Sequence, residues 1–124
     1  MTTEEAQEKC LRTTGGREGI ARIAIISPRF EISFWGHEYA LAIVGKRAIT
    51  PVAALPLLAA LTPQEYVVTL IDENVESINY VALADMDIVG VTGMSVQRFR
   101  MKHILCELKK RGCFTVVGGA WVTV

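Results

Sequence analysis

The residues equipped for chemistry gather in three short runs: Asp72-Glu73-Asn74, Thr92-Gly93-Met94-Ser95 and Gly118-Gly119. Each run follows an apolar stretch. Glycine in such a place lets the backbone come close to a ligand. Hydroxyls and the amides that open a helix can hydrogen-bond polar ligand groups. The plainer alternative is that Ser95 only caps its helix and the glycines only make turns. Other chemistries are struck out. No G-x-G-x-x-G and no Walker loop is present, so the phosphate cradles of dinucleotide and P-loop sites are missing. Asp72, in the place where dinucleotide enzymes put a ribose-binding acid, therefore loses most of that meaning. A phospho-receiver would want an aspartate ending the third apolar run, which reads Val91-Thr92-Gly93 instead. No Cys or His pair has metal-ligand spacing, and neither His37 nor His103 has an obvious nucleophile partner.

These runs need elements to position them. Residues 21–27 (ARIAIIS), 66–72 (YVVTLID), 87–92 (DIVGVT) and 113–117 (CFTVV) have the length and β-branching of buried strands. Continuous apolarity, instead of alternation, points to a sheet covered on both faces and hence to parallel strands. Helices are expected between them. Residues 51–61 (PVAALPLLAAL) are apolar nearly all round, which predicts deep packing, and Pro56 is tolerable if the helix starts near Ala53. Residues 77–84 are a weaker candidate. Residues 95–111 are the clearest helix: Ser95 can cap it, Met101, Ile104, Leu105 and Leu108 form one stripe, and Gly112 can end it. The alternation predicts a flavodoxin-like (Rossmann-like) doubly wound parallel sheet in three α/β/α layers, with ligands at the carboxyl ends of the strands.

The connection from Pro28 to Thr50 is long for such a unit and should have a job. It holds Phe30, Phe34, Trp35 and Tyr39, and residues 37–44 can form a short helix. The sequence ends a few residues after the fourth strand, where a complete sheet of this kind has a fifth strand and more helix. The expectation is one domain over residues 20–124, a piece of a longer protein, after a flexible leader over residues 1–19 with a short helix at residues 3–11.

Bulk properties bound the function. The chain has 124 residues, 51% of them hydrophobic, and equal numbers of acidic and basic side chains for a net charge of zero. That argues against nucleic acid and against a polybasic membrane surface as partners. No run approaches the length of a membrane span, and the polar first residues lack the core of a secretory signal. The three cysteines, Cys10, Cys106 and Cys113, make an odd count at unrelated spacings, as expected of reduced thiols in a cytoplasmic protein. Cys106 and Cys113 read as buried and inert, and His103 as solvated.

Taken in order, a set of runs resembles the cobalamin-binding-type N-terminal domain of radical S-adenosylmethionine (SAM) proteins. They are Ser27-Pro28-Arg29-Phe30, Phe34-Trp35, Tyr39-Ala40-Leu41, Gly45-Lys46, Pro51-Val52-Ala53-Ala54-Leu55, Leu70-Ile71-Asp72-Glu73-Asn74, Gly90-Val91-Thr92-Gly93-Met94 and Val116-Val117-Gly118-Gly119. The resemblance covers roughly residues 21–124. It implies a domain that precedes a radical SAM barrel, whose C-x-x-x-C-x-x-C cluster motif is not in this sequence. SAM and the iron–sulfur cluster would then belong to a downstream part, in cis. Many cobalamin-binding domains carry D-x-H-x-x-G after strand one. The corresponding stretch here, Ser27-Pro28-Arg29-Phe30-Glu31-Ile32, has Ser for Asp, Arg for His and Ile for Gly. A lower histidine ligand to cobalt at that place is excluded, so cobalamin would bind without one, or the fold has been kept and the cofactor lost. His37 is either a substitute ligand or a loop residue.

Three classes of function follow. The first is a binding module that positions a corrinoid beside the barrel. Its implied cofactor-binding residues are Arg29 and Phe30 at the rim, Asp72, Thr92, Gly93, Met94, Ser95, Gly118 and Gly119, with no catalytic residue in the chain. The second is a structural domain that has lost cobalamin and docks on the barrel through the Phe34–Trp35 loop; an open sheet edge could also pair with a second copy. The third, a nucleotide-binding enzyme in its own right, suffers from the absent phosphate loop.

Overall fold

The structure, a computed structural model, describes residues 19–32, 37–47 and 52–123. The readings on residues 3–11, Phe34, Trp35 and Pro51 lie outside them. The elements run β1 (Arg22–Ser27), α1 (Glu38–Ile43), α2 (Ala54–Leu61), β2 (Val67–Asp72), α3 (Tyr80–Leu83), β3 (Ile88–Thr92), a 3-10 turn (Ser95–Gln97), α4 (Arg98–Lys110), β4 (Thr115–Gly118) and a second 3-10 turn (Ala120–Val122). All strand pairs are parallel. The four-stranded sheet has the order β2-β1-β3-β4, the flavodoxin-like arrangement that the sequence predicts. The direction of winding reverses between β1 and β3.

Burial sorts the sheet into two unequal faces. Residues i and i+2 of a strand share a face. Ala24 and Ile26 of β1 and Val89 and Val91 of β3 form one closed core with Leu83 of α3 and Met101, Ile104 and Leu108 of α4. Arriving at i, i+3 and i+7 on α4, the last three are each 0% exposed, so the helical stripe read from the sequence is the principal wall of the core. Ile25 and Leu55, both buried, lie outside this cluster and mark the opposite face, where α2 packs on β1 and β2. Helices on both faces complete the three layers.

Three local expectations change. Helix α2 is not deeply packed: Leu55 is buried, while Leu57 and Leu61 are 59% and 73% exposed. Its uniform apolarity carried no facing information. Pro56 does sit in the first turn, where it breaks no hydrogen bond. Ser95 does not cap α4. The chain tightens first into the 3-10 turn, and the side chain of Gln97 takes the Met94 amide instead. Cys106 is exposed, because its position falls between the buried Ile104 and Leu108 and points away from them. Cys113 is half-buried; its thiol contacts the Leu83 carbonyl at 3.8 Å, and burial pushes it above the ordinary thiol range.

Candidate functional site

Parallel pairing brings every carboxyl-terminal strand end to the same edge. Ser27 stands beside Asp72, and Thr92 beside Gly118. The segments that follow β1, β2, β3 and β4 therefore surround the β1–β3 switch point, where open sheets of this kind hold their ligands. The long connection after β1 returns to this end as well: the Arg47 guanidinium donates to the Val75 carbonyl at 3.0 Å.

At the tip of β1, the backbone is held by side chains from its neighbours. Pro28 is buried and has no amide to donate. Its carbonyl accepts from Nε2 of Gln97. The Arg29 amide donates to Oε2 of Glu73 at 3.0 Å, and the Phe30 amide to Oδ1 of Asn74 at 3.1 Å. Gln97, only 2% exposed, spends its other end on the Met94 amide at 2.8 Å. One buried side chain thus ties the β1 tip to the β3 tip. Glu73 is itself fixed at both ends: its amide donates to the Ser27 carbonyl at 3.0 Å, and its carboxylate takes Nε of Arg100 at 3.0 Å and a second guanidinium nitrogen in a fork. Burial alone would raise the Glu73 pKa. Hydrogen bonds from Arg100 and the Arg29 amide, with the charges of both arginines, outweigh burial and hold it below the usual carboxylate range. The other face of Arg100 meets Nδ1 of His103 at 2.7 Å.

The residues singled out from the sequence fall into distinct groups. Arg29 is exposed and Phe30 half-buried, both on the clamped tip. Asp72 turns inward: its Oδ1 accepts from the backbone and side-chain amides of Asn74 at 2.9 and 2.8 Å, so it builds the turn that presents Asn74. Thr92 and Gly118 are paired neighbours, both half-buried. Gly93 and Gly119 meet back to back. A Cβ on Gly119 would lie 2.3 Å from the Gly93 carbonyl oxygen, and one on Gly93 2.8 Å from the Met101 sulfur. Gly118 has open space where a Cβ would stand. Met94 and Ser95 are exposed beyond them. Residues 27–30, 72–74, 92–97 and 118–119 are thus brought to one edge. His37 lies at the start of α1, exposed and with φ of 50°.

Glu73 and Asn74 belong to the run Asp72-Glu73-Asn74 but, like Gln97 and Arg100, are not among the expected cofactor-binding residues. Glu73 and Asn74 stand in plain view after strand two, but nothing in their spacing shows that they reach across to β1. Gln97 occupies the third position of the turn, where a glutamine can return to the residue opening it. One polar atom at the site has no partner among the described residues: Oγ of Ser27 is buried without a hydrogen bond to them. Among the described residues, no group of three or more His, Cys, Asp and Glu could hold a metal ion, and no helix is long and apolar enough to cross a membrane.

Comparison with known proteins adds the following. No family model matches the chain, and no solved structure gives a significant match. An uncharacterized methyltransferase from Synechocystis is 33% identical over 102 residues, covering 82% of this chain and 19% of that protein. The bacteriochlorophyllide d C-8(2)-methyltransferase of Chlorobaculum tepidum is 37% identical over 71 residues, 56% of this chain and 15% of that enzyme. The hopanoid C-2 methylase of Rhodopseudomonas palustris is 32% identical over 84 residues, 67% of this chain and 16% of the methylase. The chain therefore spans less than a fifth of the length of these curated relatives. What the three have in common by name is methyl transfer, and the chain is similar to one part of each.

Proposed function

We propose that the chain is the cobalamin-binding-type domain of a radical SAM enzyme that transfers methyl groups, and that it positions a corrinoid beside the part carrying the SAM and iron–sulfur chemistry. The observation that carries this reading is the assembly of strand tips at the β1–β3 switch point in a chain similar to methyltransferases. The residues fit the group. The buried Ser27 hydroxyl lacks a partner among the described residues, and an unmet polar atom at a strand tip is the kind that a ligand satisfies. Gly118 leaves space beside Thr92. Arg29 and Phe30 would meet the cofactor from the rim, and Thr92, Gly93, Met94, Ser95, Gly118 and Gly119 from the β3 and β4 tips. Asp72 would act through the turn it builds.

When bound, a corrinoid supplies a cobalt centre able to carry a methyl group. The chain's own work is to bind it, orient it and hold the loops around it. Neither Ser27 nor Arg29 can serve as the histidine ligand common in such domains, so the protein would hold the corrinoid by its periphery. The test is to mix purified protein with hydroxocobalamin, desalt it and record the visible spectrum. Retained corrin absorbance is expected; a colourless protein fraction would remove the cofactor from the proposal and leave the fold.

A second reading, a docking domain that has lost cobalamin, is favoured by the outward face of α2, where Leu57 and Leu61 are 59% and 73% exposed. In that case Leu61→Asp should weaken association with the catalytic part supplied separately. Unchanged association counts against docking through α2.

A further inference from the structure

The β1 tip has a property that its sequence does not announce: from residue 28 to residue 30 it has no unengaged backbone N–H. Pro28 has none to offer. The Arg29 amide is taken by Glu73 at 3.0 Å and the Phe30 amide by Asn74 at 3.1 Å. In doubly wound sheets the turn after the first strand is where free amides ordinarily cradle a ligand phosphate. Here those donors are consumed by two adjacent side chains of the β2 tip. The pair is itself secured, Glu73 by the Arg100 fork and Asn74 by Asp72.

We infer that Glu73 and Asn74 are positioning residues that withhold the Arg29 and Phe30 backbone amides from a ligand and fix these two residues so that they meet it through their side chains. The inference rests on the corrinoid-binding reading for the identity of the ligand and not for the clamp. It sets the specificity of the edge. A nucleotide whose phosphates need the backbone amides of residues 29 and 30 finds both taken, whereas a ligand anchored at the β3 and β4 tips needs from β1 only a guanidinium and an aromatic ring at the rim. Loop order is achieved before any ligand arrives, which lowers the ordering cost of binding. Gln97, which holds the Pro28 carbonyl, keeps the clamped segment in register with the β3 tip.

The experiment reads amide exchange by NMR in the 124-residue chain, with corrinoid retention on the same samples. In the wild type, the Arg29 and Phe30 amides exchange slowly. Glu73→Leu speeds Arg29, and Asn74→Leu speeds Phe30, each by at least about tenfold, while Val91 in the core keeps its rate. Glu73→Gln, which retains an acceptor oxygen, restores slow exchange at Arg29 in a way that a general loss of packing would not. Equal exchange in wild type and the leucine variants overturns the inference. Hydroxocobalamin retained equally by wild type and Glu73→Leu overturns the positioning role. Hydroxocobalamin retained by neither sinks the cofactor reading alone, and the exchange rates then decide the clamp.

Discussion

A methyl group placed on Gly119 would collide with the Gly93 backbone, its Cβ 2.3 Å from the carbonyl oxygen and 2.8 Å from the amide nitrogen. Gly119 also has φ of 97°, a conformation that L side chains avoid. Gly119→Ala should therefore cost at least about 2 kcal/mol of stability in urea unfolding. Its neighbour Gly118, with nothing near its Cβ position, should accept alanine within about 0.5 kcal/mol. The sequence presents these two glycines as an equivalent pair; only the packing of one tip on another separates them. Glu73 gives a second prediction at this scale. Its folded pKa lies below the ordinary 4.5, so the stability it contributes is complete above that value and is lost as pH falls through the folded one. Glu107 is held at about 2 by hydrogen bonds from Lys110 and Arg111 at the surface. Acid destabilisation should thus have two parts. Glu73→Gln removes one, and molar salt weakens the other, because exposed pairs are screened far more than half-buried ones.

Among the elements, α4 and α2 form an instructive contrast. The stripe of α4 was legible because its apolar residues are spaced for one face and its remaining positions are polar; Met101, Ile104 and Leu108 are accordingly 0% exposed. Cys106 is exposed because it lies off that stripe, although its residue type alone suggests burial. In α2 every residue is apolar, so no pattern says which side meets the sheet, and only Leu55 does so fully. Ile104→Ala should lower unfolding free energy by about 2–5 kcal/mol. Leu61→Ala, at a position 73% exposed, should change it by no more than about 0.5 kcal/mol. Equal losses at the two sites would mean that α2 is far better covered in solution than the sheet contacts indicate. The start of α4 was legible only in part, since the serine was visible but the glutamine that performs the closure lies two residues on.

At the scale of the whole sheet, four parallel strands in the order β2-β1-β3-β4 leave β4 with one side unpaired among the described residues. Val116 of that strand is 51% exposed, and β4 carries neither charge nor proline. Natural edges usually have one or the other as protection. Pairing of two copies along β4 would appear as concentration-dependent association in sedimentation, and Val116→Lys should suppress it with little effect on unfolding. A monomer at every concentration would show that β4 does not recruit a second copy. The parallel direction and doubly wound class were readable because uninterrupted β-branched runs alternating with helices admit few topologies. Contacts across the tips were not, because each joins residues tens of positions apart. The clamp on the first strand's tip bears on how such a protein can change over generations. With the path of residues 28–30 secured from outside, substitutions at 29 and 30 alter what the rim offers without redrawing its outline. Ligand preference can drift there while the scaffold stays as it is, and a library randomised at those two positions, proline excepted, should remain folded throughout.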